Sequence, residues 1–428
     1  MTDTSKQIES DANGTNKQVV QTSILFEKYS VWVFLTGLVL AIWFRFIPLI
    51  VVFTFLILLS VLIGVWKRKS LTFITPQVEL SKSRIFATNE FYIDASVYND
   101  KWLPLPWLEW EFTEKEGIVI GNREQDTYLI RFLWLLWYQK VQWKIKGTAT
   151  KRGVYNVGLV KLRSGDGFRF SEIEQELNVN KRLYVYPKLV SVIVPPFRPS
   201  MQWGVKGKQG GFLEDPLLIN GIREYQEGDE LRRMNLKATA RTGKLQSNVY
   251  QPVVVEQLML YIDVTGFVNQ EGTHEDPTKF AMINKQKKED FEWLLSIITS
   301  VAVAYKEKGL DVGFSSNGSK SEEKNVRIVP PSSNLLSVLD QLAEMTQTVS
   351  EKNTIVLEEM LKKGNINSPL FIYCERITKS QFMWYKKNRQ KLMDVRFFYM
   401  YDTDYSKKLK NAKPIDSFIS RKQAVKGL

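Results

Sequence analysis

Residues 258–263, LMLYID, decide the fold of the second half of this 428-residue chain. The run is apolar, short and ends in an acid, which is typical of a buried strand. It is followed at residues 290–309 by DFEWLLSIITSVAVAYKEKG, in which apolar side chains from Phe291 to Tyr305 recur at helical spacing before Gly309. The two runs predict a strand followed by a helix.

The same alternation continues toward the C-terminus. Strand-like runs occur at DVGF (311–314), VRIV (326–329), PLFIYC (369–374) and VRFFYM (395–400). Helical stretches are predicted to begin near Ser332, Thr354 and Thr378. This order predicts an open, mostly parallel α/β sheet over residues 251–412, and in such sheets ligands bind at the carboxyl ends of the strands.

Asp263 lies at that edge, in Asp263-Val264-Thr265-Gly266-Phe267. The segment resembles a degraded form of the Asp-x-Ser-x-Ser metal motif of von Willebrand factor A domains, in which an acid and two hydroxyls hold magnesium. Thr265 replaces the first serine, whereas Phe267 cannot be a ligand. Asp263 and Thr265 are therefore the candidate magnesium ligands. The alternative is that Asp263 caps the following loop or pairs with a basic residue.

Upstream, residues 220–250 read NGIREYQEGDELRRMNLKATARTGKLQSNVY. This signature segment has too many charged residues for a core element, and the order of those residues is too specific for a linker. Arrays of Arg, Lys, Asp and Glu suit bidentate pairing, either across an interface with a partner or within an interdomain network, and both alternatives stay open. The candidate residues are Arg223, Glu224, Tyr225, Gly228, Asp229, Arg232, Arg233, Asn235, Lys237 and Arg241.

Residues 191–219 contain several prolines and KGKQGG, and they predict a linker. Residues 70–190 show period-two patterning, as in FYIDASVYN at 91–99, and predict a β-sandwich domain. Within it, Tyr128 to Lys140 is strongly apolar and is either a core strand pair or a surface that lies on a membrane. The second alternative uses Trp134, Trp137, Tyr138 and Trp143.

Residues 31–66 are almost continuously apolar. One helix of that length would extend ~54 Å, beyond a hydrocarbon core of roughly 30 Å, so Arg45 and Pro48 are taken to break it into two spans. The predicted transmembrane hairpin covers residues 29–66; because its first span is short, a re-entrant hairpin is the alternative. Lys28 and residues 67–69 are basic, against Arg45 alone in the turn, which predicts a multi-pass cell-membrane protein with both termini cytoplasmic. Residues 1–28 are predicted to be a disordered cytoplasmic tail, and residues 413–428 a basic tail.

Composition argues against most catalytic chemistry. The chain has one histidine, His274, and one cysteine, Cys374, so it can build neither an internal disulfide nor a zinc site of three or four His/Cys ligands. The net charge of +13 favours anionic partners. In the signature segment, however, acids offset the bases and no aromatic platform accompanies them, so no nucleic acid is expected as a partner. We expect no enzyme activity and no cofactor other than the magnesium ion considered above.

Four blocks of sequence resemble a large bacterial family, the domain of unknown function numbered fifty-eight. They are NDKWLPLPWLEWEF (99–112), KRGVYNVGLVKLRSGDGF (151–168), LYVYPKLV (183–190) and GIREYQEGDELRRMNLKATART (221–242). Leu236 departs from the family, which usually has tryptophan there. The resemblance implies a membrane-anchored protein with a von Willebrand factor A-like domain, commonly encoded beside MoxR-type AAA+ ATPases, and it implies no catalysis.

Together, these patterns predict an α+β multidomain protein: a two-helix transmembrane hairpin, a β-sandwich domain, and then a von Willebrand factor A-like α/β domain. The expected function is a non-enzymatic protein-interaction module in the lipid bilayer that works with a MoxR-type AAA+ ATPase in a cell-envelope or complex-assembly process. The alternatives are a metal-dependent or hydrolytic enzyme and a purely structural membrane protein.

Overall fold

The computed structural model describes residues 8–10, 16–21, 30–113, 116–121, 129–166, 171–195, 214–227, 229–252, 257–269, 277–320, 328–363, 368–392 and 394–419. It is a mixed α/β protein with several sheets. The chain divides into two compact units, Met1–Lys188 and Leu189–Leu428. Each unit is described by itself.

The first unit contains two helices and a set of mostly antiparallel strands. The helices are α1 (Ser30–Trp43) and α2 (Ile47–Ser70). The strands are β1 (Ile8–Ser10), β2 (Asn16–Gln21), β3 (Ile74–Leu80), β4 (Arg84–Phe86), β5 (Glu90–Asn99), β6 (Leu105–Phe112), β7 (Ile118–Ile120), β8 (Leu129–Leu135), β9 (Lys140–Ala149), β10 (Gly153–Asn156), β11 (Leu159–Gly165), β12 (Ser171–Asn178) and β13 (Arg182–Tyr186).

Two antiparallel sheets of this unit share one hydrophobic core, as in a β-sandwich. One has the order β1-β2-β12-β11-β6-β8 and the other the order β3-β5-β9-β7, while β10, β13 and β4 form a third, smaller sheet. Phe91 and Ile93 enter the core from β5, and Trp110 and Leu162 enter it from the other sheet. The period-two pattern of residues 91–99 therefore marked a half-buried strand correctly.

The described part of the apolar stretch, residues 129–140, divides between core and surface. Leu135 is buried, whereas Trp134, Trp137 and Tyr138 are exposed. The membrane-surface alternative included Trp143, but this residue is buried and its ring packs edge-on against Trp110, with ring centroids 5.0 Å apart. It belongs to the core because β9 alternates its side chains between the two faces of its sheet.

The helices α1 and α2 contact each other and are joined by a short turn in which Arg45 has a φ of 55°. Pro48 lies in the first turn of α2, where proline is tolerated because that N–H has no intrahelical acceptor. Among the described residues, α2 alone is long and apolar enough to cross a membrane, and Val31–Trp43 forms a shorter apolar helix. With 24 residues α2 is ~36 Å long, against ~21 Å for the 14 residues of α1.

The N-terminal segment differs from the disordered tail expected over residues 1–28. Its described part forms β1 and β2, and β2 pairs antiparallel with β12, with Ser171 opposite Gln21. Edge pairing uses backbone N–H and C=O groups, so a segment of polar sequence such as NKQVVQ can extend a sheet.

The second unit begins at Leu189 and contains the signature segment and an α/β domain. Its strands are β14 (Glu214–Glu224), β15 (Gln246–Pro252), β16 (Gln257–Asp263), β17 (Asp311–Ser316), β18 (Gly318–Lys320), β19 (Val329–Ser332), β20 (Met345–Val349), β21 (Leu370–Cys374), β22 (Val395–Tyr399) and β23 (Ala412–Pro414). Its helices are α3 (Leu236–Thr242), α4 (Pro277–Glu307), α5 (Leu336–Glu344), α6 (Asn353–Lys362), α7 (Lys379–Asn388) and α8 (Asp404–Lys408).

The main sheet of this unit has the order β19-β17-β16-β21-β22-β23 and is parallel except for β19. Counted from β16, this is the doubly wound order 3-2-1-4-5-6, whose direction reverses between β16 and β21. β16 and β21 are buried almost along their whole length, and α4 buries Phe291, Leu295 and Tyr305. The predicted mostly parallel sheet is thus present, and Asp263 lies at its switch point.

The predicted linker over residues 191–219 is partly structured. The N–H of Val190 donates to the Ser300 hydroxyl at 2.9 Å, and the Tyr305 hydroxyl donates to the Pro195 carbonyl at 3.0 Å. Val192 forms a β-bridge with Ile419. Prolines thus mark an extended segment that packs along α4, and β14 begins before the expected end of the linker.

The predicted basic tail over residues 413–428 also differs. Ile415 and Phe418 are buried, and the Phe418 ring lies 4.5 Å from that of Phe398. These two apolar residues in an otherwise polar stretch complete the core at the β22 edge, and residues 420–428 lie outside the described part.

Candidate functional site

The signature segment folds as a hairpin with two short helices between its strands. β14 and β15 pair antiparallel, with Arg223 opposite Ser247 and Glu224 opposite Gln246. A short 3-10 helix at Leu231–Arg233 and then α3 fill the connection. A strand pair thus holds the charged connection at both of its ends.

Asn235 organises the start of α3. Its Oδ1 accepts from the N–H of Ala238 at 2.9 Å, as an N-cap does, and its Nδ2 donates to Asn248 Oδ1 at 2.8 Å. Its own N–H donates to the Gln246 carbonyl, which joins the helix start to β15. Gly243, with a φ of 69°, ends the helix in the left-handed conformation that glycine adopts without strain.

Arg223 and Asp229 fix the first part of the connection. Arg223 Nη2 donates to Asp229 Oδ1 at 2.6 Å, and Asp229 Oδ2 accepts from the N–H of Gln226 at 3.1 Å. The Tyr225 hydroxyl donates to the Asp229 carbonyl. The hydrogen bond from Arg223 is the main cause that lowers the pKa of Asp229. These contacts close within the hairpin.

Glu230 is the second acidic centre. It pairs with Arg232 and, at 3.6 Å, with Arg233, and the bond from Arg232 is the first cause that lowers its pKa. Glu224 pairs with Lys244 at 3.0 Å, although both side chains are largely exposed. The acids of the segment thus neutralise part of its basic charge locally.

The candidate residues separate into two groups. The residues that are partly buried in the hairpin are Arg223, Tyr225, Asp229, Arg233 and Asn235. The exposed residues are Glu224, Arg232, Lys237 and Arg241. Gly228 lies outside the described residues. Two apolar side chains share the exposed side: Leu231 is 72% exposed and Leu236 is 73% exposed. Leu236 is the position where the chain departs from the resembled family, so that departure falls on an outward-facing side chain.

Asp263, the candidate metal ligand, is buried at the end of β16 and accepts five hydrogen bonds. Oδ1 accepts from the Thr265 N–H, the Thr265 hydroxyl and Asn317 Nδ2. Oδ2 accepts from Asn353 Nδ2 and Gln381 Nε2, both at 2.6 Å. Asp263 and Thr265 are thus in contact, and the other three donors are side-chain amide groups of distant elements.

This arrangement bears on the magnesium prediction. An ionised carboxylate offers about four lone-pair positions, and five donors already occupy those of Asp263. Magnesium requires oxygen lone pairs directed at the ion, whereas Asn317, Asn353 and Gln381 direct N–H groups at the carboxylate. Phe267, at the third position of the motif, is fully buried against Phe291. Among the described residues no three His, Cys, Asp or Glu side chains form a metal-binding group, and magnesium at Asp263 stays a prediction.

Three partners of Asp263 were not predicted. Asn317 directly follows β17, so the rule that led to Asp263 would also have found it. Asn353 is the first residue of α6 and Gln381 lies in the first turn of α7, where it also completes a capping box with Thr378. Polar residues at helix starts are usually assigned to capping, so their sequence carried no sign of a shared acceptor.

Glu375 is a further acid at this sheet edge, directly after β21. Burial raises its pKa, and Arg376 approaches its carboxylate only to 4.0 Å. A Cβ at Gly266 would collide with the Glu375 side chain, so the loop after Asp263 requires glycine there. Glu375 and Asp263 therefore end neighbouring strands at the switch point.

No protein-family model matches the chain. The chain is 21% identical over 249 residues to a protein named "Uncharacterized protein YeaD" from Bacillus subtilis strain 168, a match that covers 58% of this chain and 56% of that protein. The chain thus spans about half the length of this curated relative.

Solved structures are only remotely similar. The CARDB domain of the PF1109 protein from Pyrococcus furiosus is 14% identical, with 26% of this chain and 91% of that chain covered at a TM-score of 0.18. The GH20 exo-β-N-acetylglucosaminidase of Vibrio harveyi is 8% identical, with 74% of this chain and 60% of that chain covered at a TM-score of 0.18. At these TM-scores neither likeness supports an argument about fold or function.

Proposed function

We propose that this protein is a membrane-anchored, non-enzymatic interaction module whose signature segment contacts a protein partner. The observation that carries the proposal is the division of the segment into a partly buried network and an exposed face. Arg223, Asp229 and Asn235 hold the hairpin in shape, and Arg232, Lys237 and Arg241 extend from it beside Leu231 and Leu236. Interfaces combine a pre-organised backbone with arginine and apolar contacts, and this face offers both.

The membrane anchor is supported by α2, which is apolar and long enough to cross a bilayer. We assign α1 as a second, shorter span. The chain enters α1 after β2 and leaves α2 into β3, and both strands belong to the first unit. We therefore propose that both ends of the helix pair lie on one side of the bilayer, and the basic residues at 28 and 67–69 favour the cytoplasmic side.

The proposed partner is a MoxR-type AAA+ ATPase, and the proposed setting is a cell-envelope or complex-assembly process. Both rest on the resemblance to the domain of unknown function numbered fifty-eight and on the interpretation of the α/β domain as von Willebrand factor A-like. The sheet is doubly wound and has Asp263 and Thr265 at its switch point, which is compatible with that interpretation.

Two alternative functions would require different features of the structure. A metal-dependent or hydrolytic enzyme would need free ligand or base positions, whereas the oxygens of Asp263 are occupied by five donors. A purely structural role would have the signature segment lock the domains together. In that case its exposed arginines would affect stability more than binding.

The test uses the full-length protein in nanodiscs and the purified MoxR-type ATPase of the same genome. Replacing Arg232→Glu and Arg241→Glu together reverses two charges of the exposed face. We expect loss of ATPase binding in a pull-down and a melting temperature within about 2 °C of the unchanged protein, since exposed charges contribute little to stability.

The matched control replaces Lys379→Glu and Lys410→Glu, two exposed lysines elsewhere in the same unit, and makes the same change of net charge. It should bind normally. Binding that survives in the arginine variant would refute the proposed contact face. A large fall in melting temperature would favour the structural role.

A further inference from the structure

One end of the β-sandwich gathers both connections to the helix pair. In one sheet, Ile74 at the start of β3 lies opposite Asn99 at the end of β5. In the other sheet, Leu105 at the start of β6 pairs with Leu135, and Ser171 at the start of β12 pairs with Gln21. The loop at residues 100–104 joins the two sheets at this end, and α2 contacts β11 and β12.

Lys101, in that loop, binds the C-terminus of α2. Its Nζ donates to the carbonyls of Lys69 and Thr72, both at 2.8 Å, and to that of Ser70. The last carbonyls of a helix lack intrahelical donors, and a lysine supplies both donors and a favourable charge. Burial lowers the pKa of Lys101 to about 8. The loop is thereby fixed to the point where α2 ends.

Large apolar side chains surround this point and are exposed. Phe73 is 72% exposed, Trp102 is 69% exposed and Trp134 is 79% exposed. Backbone bonds bring their loops together: the N–H of Asp100 donates to the Phe73 carbonyl, and the N–H of Tyr138 donates to the Lys101 carbonyl. The set, which we call the aromatic collar, comprises Phe73, Trp102, Trp134, Leu136, Trp137 and Tyr138.

The side chains of the aromatic collar are suited to the headgroup layer of a lipid bilayer. Tryptophan and tyrosine concentrate at the level of lipid headgroups, where one part of the ring is apolar and another is polar. Arg68, Lys69 and Lys140 are exposed near it, with Asp100 as a nearby acid, and basic side chains there attract anionic headgroups. The collar is also continuous with α2, whose exposed side chains include Leu58, Leu62 and Val65.

We propose that the aromatic collar lies in the interfacial layer of the bilayer that α2 enters, so that this end of the sandwich rests on the lipid. The proposal rests on the membrane placement of α2 in the proposed function. It adds a second, peripheral contact to the helical anchor, and Lys101 positions Trp102 beside the helix end. A soluble partner protein is the competing occupant, and the test separates the two.

The chain's single cysteine makes a site-specific test practical. Cys374 is buried and its thiol pKa is raised by burial, so introduced cysteines will react first with a thiol-specific NBD dye. Four full-length variants are labelled: Trp102→Cys and Trp137→Cys in the collar, Val52→Cys on α2, and Lys82→Cys. Lys82 follows β3, whose end pairs with Ile93, away from the collar. The unchanged protein measures background labelling.

Each variant is reconstituted in liposomes of phosphatidylcholine with a minority of phosphatidylglycerol, with and without lipids that carry a nitroxide on the acyl chain close to the headgroup. We expect strong loss of NBD emission at residues 52, 102 and 137 and little loss at residue 82. This result also excludes a soluble partner as the occupant of the collar, because only lipid carries the quencher.

Two other results would overturn the proposal and are distinguishable. Quenching at 52 with none at 102 and 137 would leave the helical anchor standing and reject the collar as a lipid contact. No quenching at 52 would reject the membrane placement of α2, and the collar proposal would fail with it.

Discussion

The buried carboxylate of Asp263 and the charged signature segment differ in how they use polar groups. Asp263 is one acid at the end of an apolar strand, and five neutral donors surround it. The signature segment contains many charges, and most of its ion pairs involve exposed side chains. A single buried carboxylate in an apolar setting should therefore affect stability more than a dense cluster of exposed charges does.

Replacing Asp263→Ala should destabilise the second unit most. Three buried amide groups, on Asn317, Asn353 and Gln381, would lose their acceptor, and each such loss costs about 1–3 kcal/mol. After partial relaxation we expect a loss of about 3–5 kcal/mol in the free energy of unfolding. Urea denaturation of the protein in nanodiscs, followed by tryptophan fluorescence, measures it.

The matched control is Asp311→Ala, at the opposite end of the same sheet. Asp311 pairs with Lys306 at 2.9 Å, and both side chains are partly exposed, so this change should cost less than about 1 kcal/mol. Equal losses for the two variants would contradict the contrast between buried and exposed acids.

Replacing Lys101→Met tests whether the loss of a single buried charged side chain also destabilises the first unit. The carbonyls of Lys69, Ser70 and Thr72 would lose a common donor, and we expect a loss of about 1–3 kcal/mol. Circular dichroism of the reconstituted protein, with Lys140→Met as an exposed control, measures the change.

The pH dependence of Lys101 has a definite sign. Because its pKa falls from 10.5 to about 8, the folded state binds fewer protons than the unfolded state between these values. Stability contributed by this group therefore rises with pH across that window. The difference in melting temperature between the unchanged protein and Lys101→Met should grow from pH 8 to pH 10.5; a constant difference would contradict a lowered pKa for Lys101.

Replacing Asp229→Asn should have the smallest effect, a fall in melting temperature of less than about 2 °C at neutral pH. Arg223 lowers the pKa of Asp229, so the contribution is complete above the unfolded value near 3.8 and is lost as the pH falls through the folded value. Calorimetry at several pH values should show the difference between the two proteins closing in acid. A difference in melting temperature that persists in acid would mean that Asp229 stabilises the protein through its shape rather than through its charge.

Much of the α/β domain could be predicted from local pattern. The runs at 258–263 and 369–374 are strands, and the helix with Phe291 and Tyr305 on its buried face is α4. Local pattern did not show β20, because Met345–Val349 directly follows α5 and pairs with the distant β18. Strand pairing depends on a partner that a local window does not contain.

The polar site was predictable only in part for the same reason. Asp263 was identified because an acid ended an apolar run, and its contact with Thr265 is local. Asn353 and Gln381 lie 90 and 118 residues further along the chain, and only the folded sheet brings them to the carboxylate. In the signature segment, composition identified a charged cluster but could not separate Arg223 and Asp229, which hold the hairpin, from Arg232 and Arg241, which face water.

The junction between α2 and the sandwich has a mechanical consequence. Only residues 71–73 separate α2 from β3, Leu71 is buried in the sandwich core, and Lys101 binds the helix end. Because this junction is short and packed, a change in the tilt of α2 would turn the sandwich with it. If α2 spans a bilayer as we propose, the local bilayer thickness, which affects helix tilt, would therefore also affect the orientation of this folded domain.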